Sequence, residues 1–391
     1  MFAVNGMTFA SFVPRYPEIK AQLAASRTLW GLAVGIGPVG GLLLGLSAAA
    51  LMARFGSRAV AVWPQVMSTA FLLVLAGADH IAWVFVAMIA MSAFDALTDT
   101  AMNYQGLRVQ ELYGRSIINT FHGWWSIGAV AGGLVGSAMA QWRVPLVGQA
   151  VGTLVVLAGV AWLAWSLMLP TSQFRAHREP TVAGPQDLQT TPGADAGRAR
   201  VSAPTWARIV ALGVMGALAG GIETGGATWA PLVMNSQFTV TPFVAGLGFV
   251  ALMTAETVGR LVGDAVVDRM GAPATVVQGA LVCLVGMGVA VAWPTVWTSL
   301  VGFACAGWGV ATMIPLAMHA ADSLPGVPAG VGLTVATWVM RIGFMAFPVG
   351  IGALGDALDL RWALTTLPVA AVAILALVPM MRPVAVVDSS R

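Results

Sequence analysis

Three polar residues, Asp95, Asp99 and Asn103, follow one another at four-residue spacing inside an apolar segment. On a helix this spacing places them on one face, about 6 Å apart along the axis. If the segment crosses a membrane, an ionised carboxylate near its centre costs at least ~2.5–3.5 kcal/mol, so the face must meet the protein interior or a water-filled cavity. Because the two carboxylates repel each other and apolar surroundings favour the neutral acid, we predict that Asp99, with Asp95, carries protons. The alternative is that both only bind neighbouring helices.

The next apolar run begins with a second polar group, in which Asn119 and His122 stand about one turn apart before Trp124 and Trp125. Hydrogen-bonding side chains beside large aromatic faces suit a sugar-like solute, whose hydroxyls need partners and whose C–H faces stack on rings. We therefore predict that Asn103, Asn119, His122 and Trp125 contact substrate. Ordinary packing is the alternative for the tryptophans, and as neighbours they are not both expected to face one cavity.

Two charged residues, Glu223 and Arg341, fall near the middle of later apolar runs. Each is costly in a bilayer without a partner, so each is a candidate functional residue. They could pair with each other in a structural or gating role. Alternatively, Arg341 binds an anionic substrate and Glu223 takes part in proton coupling.

A further charged stripe consists of Glu256, Arg260, Asp264 and Asp268, again four residues apart, with Arg269 beside it. Its members alternate in sign only in part, and they stand at the end of an apolar run. We interpret Glu256, Arg260, Asp268 and Arg269 as a gating network between helices rather than a substrate site.

The elements that position these residues follow from composition. Of 391 residues, 58% are hydrophobic and 9% are charged, against about 25% charged in soluble domains. A soluble fold cannot hide so much apolar surface, whereas a lipid bilayer accepts it. The apolar runs reach the ~20 residues that a membrane helix needs, and they lack the polar–apolar alternation of membrane strands. The chain is therefore predicted to be an all-α polytopic membrane protein.

We predict twelve transmembrane helices in two six-helix bundles, at 1–170 and 206–391, joined by a cytoplasmic flexible linker at 171–205. The linker has four prolines and no apolar periodicity. The predicted spans are 2–14, 29–52, 59–78, 81–104, 117–141, 144–169, 206–233, 241–265, 273–293, 296–320, 328–354 and 362–381. The first is short for a span, so we expect the natural reading frame to begin upstream of Met1.

The two halves repeat one another at a nearly constant separation, which is typical of transporters that bind substrate between symmetric halves. The matching segments are Ala10–Pro14 with Ala227–Pro231, Arg54–Gly56 with Arg269–Gly271, and Ala101–Asn103 with Ala317–His319.

Gly263 to Gly271 (GDAVVDRMG) resembles the loop between the second and third spans of each half in the major facilitator superfamily. The first-half copy has Ala53 in place of the acidic residue. Asp99–Asn103 (DTAMN) and Asn119–His122 (NTFH) resemble segments of the fucose-permease branch. That resemblance implies a proton-linked carboxylate at Asp99. The branch also has an acidic residue in its first span, where this chain has Ala10, so Asp95 or Glu223 could compensate.

No nucleotide-binding loop, metal-ligand spacing or hydrolase motif occurs in the sequence. We therefore expect no enzymatic activity, no cofactor and no metal, and an ion gradient as the energy source. The predicted function is a proton-coupled symporter of a small polar solute, sugar or sugar-like, that works by alternating access. The alternatives are a proton-linked exporter, an organic-anion carrier that uses Arg341, and a membrane sensor of the same fold.

The arginines are spread over the loops between spans. More of them lie on one predicted side of the membrane than on the other. This distribution argues against a nucleic-acid partner and, by the positive-inside rule, places both termini in the cytoplasm. We expect a monomer in the bacterial inner membrane whose partners are the solute, protons and the lipid bilayer.

Overall fold

A computed structural model describes residues 1–114, 117–169, 202–328 and 330–381, apart from the side chain of Asn119. Almost all of the predicted linker, 171–205, lies outside the described residues. The described part is helical throughout. Its α-helices are α1 Phe2–Ala10, α2 Tyr16–Gln22, α3 Arg27–Gly35, α4 Gly37–Gly45, α5 Ala48–Phe55, α6 Ser57–Ala76, α7 Ile81–Tyr113, α8 Ile118–Gln141, α9 Leu146–Leu167, α10 Ala203–Gln237, α11 Pro242–Met270, α12 Ala272–Ala292, α13 Val296–Val310, α14 Met313–Asp322, α15 Val331–Ala357, α16 Leu360–Ala363 and α17 Thr366–Leu377.

Short polar residues set where several of these helices begin. The hydroxyls of Ser26, Ser202, Thr241 and Thr295 each accept a hydrogen bond from a backbone N–H in the first turn of the helix that follows. Helix α7 ends at Gly114, which takes the left-handed conformation (φ 71°) that glycine tolerates. The predicted span boundaries therefore agree closely with the helices, except that α7 continues well past the predicted end at 104.

Ten helical segments of the described residues are long and apolar enough to cross a membrane. The segments Phe2–Ala10 and Ile118–Gln141 are not among these ten, although they pack against each other along their lengths. The description as an all-helical membrane protein is confirmed, and the number of twelve spans in a 6+6 arrangement stays a prediction.

The two copies of the predicted repeat loop share one backbone shape. Gly56 has φ 85° and ψ 149°, and Gly271 has φ 79° and ψ 155°. Each glycine ends one helix and begins the next, in a region of φ that side chains with a Cβ rarely adopt. Arg54 and Arg269 lie in the last turn of the preceding helix in both copies. The matched sequences thus fold alike at this turn.

One end of the molecule is closed by contacts between the two segments of the chain, residues 1–169 and 202–381. The carboxylate of Asp356 accepts hydrogen bonds from the backbone N–H of Arg27 (2.9 Å), the N–H of Thr28 (2.7 Å) and the Thr28 hydroxyl (2.7 Å). It therefore caps the first turn of α3 from the end of α15, where a negative charge also suits the helix dipole. We call this region the closed end.

Glycines bring the same two helices together below that cap. A Cβ on Gly31 would run into the carbonyl of Pro348, and one on Gly352 would run into the carbonyl of Arg27. Small residues at such positions let two membrane helices approach at backbone distance. The indole of Trp229 also donates to Pro348 O (3.1 Å). The closed end is thus sealed by packing as well as by hydrogen bonds.

Replacing Asp356 by alanine removes all three hydrogen bonds of the cap, so we expect the closed end to open more often. A loss of about 2 kcal/mol would raise the open-to-closed ratio roughly 30-fold. Spin labels at Gln22 and Leu358, in a chain with Cys283 and Cys305 replaced by alanine, would report the change as a longer distance in pulsed electron resonance.

The control is Asp79→Ala, which removes an exposed carboxylate that forms no ion pair with a side chain of the described residues. It should leave the distance distribution unchanged. An Asp356→Ala distribution that matches the unsubstituted chain would show that the cap contributes nothing to closure.

Candidate functional site

A central cavity of ≈ 1260 Å³ lies between the two segments of the chain. Both segments contribute polar and charged side chains to its wall. They include Asn5, Thr8, Asp95, Asp99, His122, Trp124 and Trp125 from the first segment, and Glu223, Thr224, Thr228, Arg260 and Asp264 from the second. A cavity of this size is somewhat larger than ordinary small-molecule sites, which range over about 300–1,000 Å³.

Asn5 of α1 connects three other helices through its side chain. Its amide nitrogen donates to Asp95 Oδ1 (2.6 Å) and to Gln65 Oε1 (3.0 Å), and its amide oxygen accepts from the indole of Trp125 (2.8 Å). Asn5 is only 7% exposed. It therefore fixes a carboxylate of α7 and an indole of α8 relative to each other, both on the cavity wall.

The network continues away from the cavity into α6. The amide of Gln65 donates to Thr8 Oγ1 (2.8 Å), and the Thr8 hydroxyl lies 3.2 Å from that of Thr69. All three side chains are buried. Buried polar groups are costly unless hydrogen-bonded, and here each finds a partner, so the network rigidifies this side of the cavity.

Asp99 lies one turn beyond Asp95 and is exposed to the cavity. It accepts a hydrogen bond from Asn103 (2.9 Å), which also donates to the Asp99 backbone carbonyl (2.9 Å). His122 shares the cavity wall with Asp99. The ring of His122 meets Phe2 edge to face at 5.4 Å. The predicted pairing of these polar groups at one depth is thus present, although Asn103 itself does not line the cavity.

The second segment places an arginine between two glutamates. Arg260 forms ion pairs with Glu256, one turn away on α11, and with Glu223 of α10 at 3.7 Å. Glu256 is only 1% exposed, and no hydrogen bond reaches its carboxylate from the described residues. The contact with Arg260 is therefore ionic rather than a well-formed hydrogen bond, and Glu256 depends on this one cation.

The predicted gating stripe is divided by the structure. Glu256, Arg260 and Asp264 lie at or beside the cavity, whereas Asp268 and Arg269 are exposed at the end of α11. Asp268 and Arg269 form no ion pair with any side chain of the described ranges. Arg260 and Glu256 thus belong with Glu223 rather than with the end of the helix.

Arg341 is not among the residues that line the cavity. Its guanidinium lies over the ring of Trp338, 5.6 Å from the centroid, because both side chains project from the same face of α15, three residues apart. The predicted pair of Glu223 with Arg341 is not formed, since Glu223 pairs with Arg260 instead.

Trp124 and Trp125 both line the cavity, so the expectation that they would not both face one cavity is wrong. Neighbouring residues stand about 100° apart on a helix, and the cavity wraps around more of α8 than that. The side chain of Asn119, a predicted substrate contact, lies outside the described residues.

Asn5, Gln65 and their threonine partners were not predicted from the sequence. The signal was present as Asn5 with Thr8 and as Gln65 with Thr69, pairs that share a helix face inside apolar runs. Within the described part of the chain, no three side chains of the metal-binding types come together.

Comparisons with known proteins bear on this arrangement. No family model matches the chain. It is 24% identical over 363 residues to an uncharacterized MFS-type transporter of Yersinia pestis, with 93% of this chain and 89% of that protein covered. It is 25% identical over 368 residues to the membrane protein MosC of Rhizobium meliloti, with coverage of 93% and 84%. MFS denotes the major facilitator superfamily.

Two solved structures are similar throughout. The nucleoside transporter NupG superposes with a TM-score of 0.72 at 12% identity, covering 97% of both chains. A bacterial homolog of the human lysosomal transporter Spinster, inward-facing and unoccupied, gives 0.71 at 13% identity, covering 97% of this chain and 95% of that one. At such identity the likeness shows the fold alone. Together the similarities support a membrane transporter of the MFS type, and the fucose-permease branch stays a prediction.

The indole of Trp125 donates to Asn5, whereas the neighbouring Trp124 is 54% exposed and makes no hydrogen bond to a described residue. Trp125→Phe should therefore cost about 1 kcal/mol and lower Tm by roughly 1–3 °C. Trp124→Phe is the matched control and should change stability by less than about 0.5 kcal/mol. Thermal unfolding of the purified protein measures both. Equal effects at the two positions would count against the Asn5 network.

Removing the cation that Glu256 depends on should destabilise the protein. For Arg260→Gln we expect about 2–3 kcal/mol, at the low end for a buried pair because the guanidinium is 37% exposed. Adding Glu256→Gln should recover most of that loss, since no unpaired buried charge then remains. The four Tm values of this double-mutant cycle measure the coupling. Additive losses would mean that the pair does not matter for stability.

Proposed function

We propose that the chain is a proton-coupled secondary transporter of the major facilitator type, a symporter of a small polar solute, which works by alternating access. In this proposal the bundles 1–170 and 206–391 rock about a central site. The observation that carries it is the cavity between the two segments, with the Asp95 and Asp99 carboxylates on its wall. Ionisable groups inside a membrane are typical of proton and substrate pathways.

The conformation supports alternating access. The Asp356 cap joins the two segments at the closed end. In contrast, Asp99, His122 and Asp264 are exposed within the cavity toward the other end of the helices. With both termini cytoplasmic, as the basic residues predict, this form faces inward. Breaking the cap and closing the opposite end would give the outward-facing form.

Proton coupling is assigned first to Asp99. It is exposed to the cavity, its single side-chain donor is Asn103, and His122 stands on the same wall. A carboxylate with an accessible oxygen and an adjacent imidazole can exchange protons with cavity water. Asp95 is held by Asn5, and Glu223 is engaged by Arg260, so both are less free to serve as the first acceptor.

A polar solute suits the remainder of the wall. Hydroxyls of Thr8, Thr120, Thr224 and Thr228 line the cavity, with Trp125 among them. Hydroxyl groups both donate and accept, and the indole ring offers an apolar face for stacking. We assign substrate contact to His122 and Trp125 on this basis, with Asn103 acting through Asp99.

The organic-anion alternative through Arg341 receives no support, since that side chain lies over Trp338 and away from the cavity. A membrane sensor of the same fold would bind a solute without moving it. Gradient-driven accumulation separates a sensor from a transporter.

The test is solute-driven proton movement in proteoliposomes that hold a pH-sensitive dye. A panel of sugars, polyols, amines and carboxylates is added outside, with and without an imposed pH gradient. We expect at least one solute to move protons inward with it. In Asp99→Asn, proton movement and accumulation should fall at least tenfold, while exchange of labelled for unlabelled solute persists, because only the proton carrier is lost.

Asp79→Asn is the control, since it removes an exposed carboxylate that does not line the cavity. It should behave like the unsubstituted protein. Full gradient-driven accumulation by Asp99→Asn would refute the coupling role, and the absence of movement of any bound solute would favour a sensor.

A further inference from the structure

The charges on the cavity wall are unbalanced. Among the described residues that line it, the carboxylates of Asp95, Asp99, Glu223 and Asp264 stand against one guanidinium, that of Arg260. Even if one carboxylate holds a proton, the wall stays acidic. In a cavity with low-dielectric walls this excess attracts cations and repels anions.

Within the described residues, three carboxylates of this wall, those of Asp95, Asp99 and Asp264, form no ion pair, whereas Glu223 has Arg260 at 3.7 Å. Asp95 is the one of these three whose positioning residue, Asn5, also holds an aromatic ring. Among the described residues Asp95 has only a neutral partner, the amide of Asn5, which donates to Oδ1. A carboxylate that faces a cavity inside a membrane protein without a counter-ion is costly, and the cost falls when a cation binds.

Aromatic rings line the same cavity as this carboxylate. The indole of Trp125 is fixed through Asn5, the same residue that holds Asp95. Phe9 and Phe249 line the cavity as well. Ring faces attract ammonium groups, and the attraction grows to about 2 kcal/mol in sites that exclude water. A carboxylate and an indole that share one positioning residue form a site for a positively charged group.

We infer that the substrate is a small organic cation, a protonated amine, and that Asp95 with the Trp125 ring receives its ammonium group. The threonine hydroxyls of the wall would contact the polar part of the molecule. This inference rests on the proposed transport function and narrows its solute class. It also separates two roles: Asp99 takes the proton while Asp95 takes the amine, so that both can move together.

The experiment compares compounds that share a framework and differ in charge. One set is glucosamine, glucose and glucuronate, and the other is 2-phenylethylamine, 2-phenylethanol and phenylacetate. Binding to the purified protein at pH 7 is measured by calorimetry and by the shift in Tm. In at least one set we expect the amine to bind at least about tenfold more tightly than its neutral and anionic partners.

Variants then test whether Asp95 causes the preference for the amine. Asp95→Asn should reduce the preference for the amine at least about tenfold, whereas Asp95→Glu, which keeps the charge, should retain most of it. Asp79→Asn is the charge-matched control outside the cavity and should leave binding unchanged. Retention of the preference in a folded Asp95→Asn protein would overturn the assignment of Asp95.

The outcomes separate this inference from the proposed function. Stronger binding of a neutral or anionic member, or no binding of either amine, overturns the cation inference, whatever the transport assay shows. Selective binding of an amine that is never moved across proteoliposomes supports the cation site and refutes the transport function.

Discussion

Charge inside a lipid bilayer must meet an opposite charge, a hydrogen-bond donor or water, and this constraint orders the interior of the protein. Arg260 is held between Glu256 and Glu223. Arg15, only 1% exposed, is held by Glu18 and Gln149. The carboxylates of Asp95, Asp99 and Asp264, which form no ion pair among the described residues, line the cavity, where water or a solute can reach them. The cavity is therefore the place at which the remaining charge is compensated.

The polar contacts of the first segment converge on one short helix. Through Asn5, α1 touches the carboxylate of Asp95, the amide of Gln65 and the indole of Trp125. A change in the charge of Asp95 alters the bond it accepts from Asn5, and with it the support for the indole. The proton state of the wall and the shape of the wall are thus linked by direct hydrogen bonds rather than by distance alone.

Most helix positions and part of the cavity wall could be predicted from the sequence. Apolar runs predicted helix positions that agree with the structure to within a few residues at most boundaries. The spacing of Asp95 and Asp99 identified a face that does line the cavity. What failed depended on how helices pack. The side chain of Arg341 turns toward Trp338 on its own helix, and Arg260 of α11 pairs with Glu223 of α10.

Neither contact can be predicted from the sequence of one helix, because the rotation of a helix about its axis and the partner on the next helix are set by tertiary contacts. Asn5 was missed for the same reason. Its spacing from Thr8 marks a polar helix face but gives no indication of its partners on other helices, which lie 60 to 120 residues away in the sequence.

The cap at the closed end has a consequence for the helix that it covers. The amides of Arg27 and Thr28 find their acceptor on the other segment of the chain, at Asp356, and not within α3 itself. Whenever the segments separate there, these two amides must turn to water. The rate at which these two backbone hydrogens exchange for deuterium would therefore record how often the closed end opens.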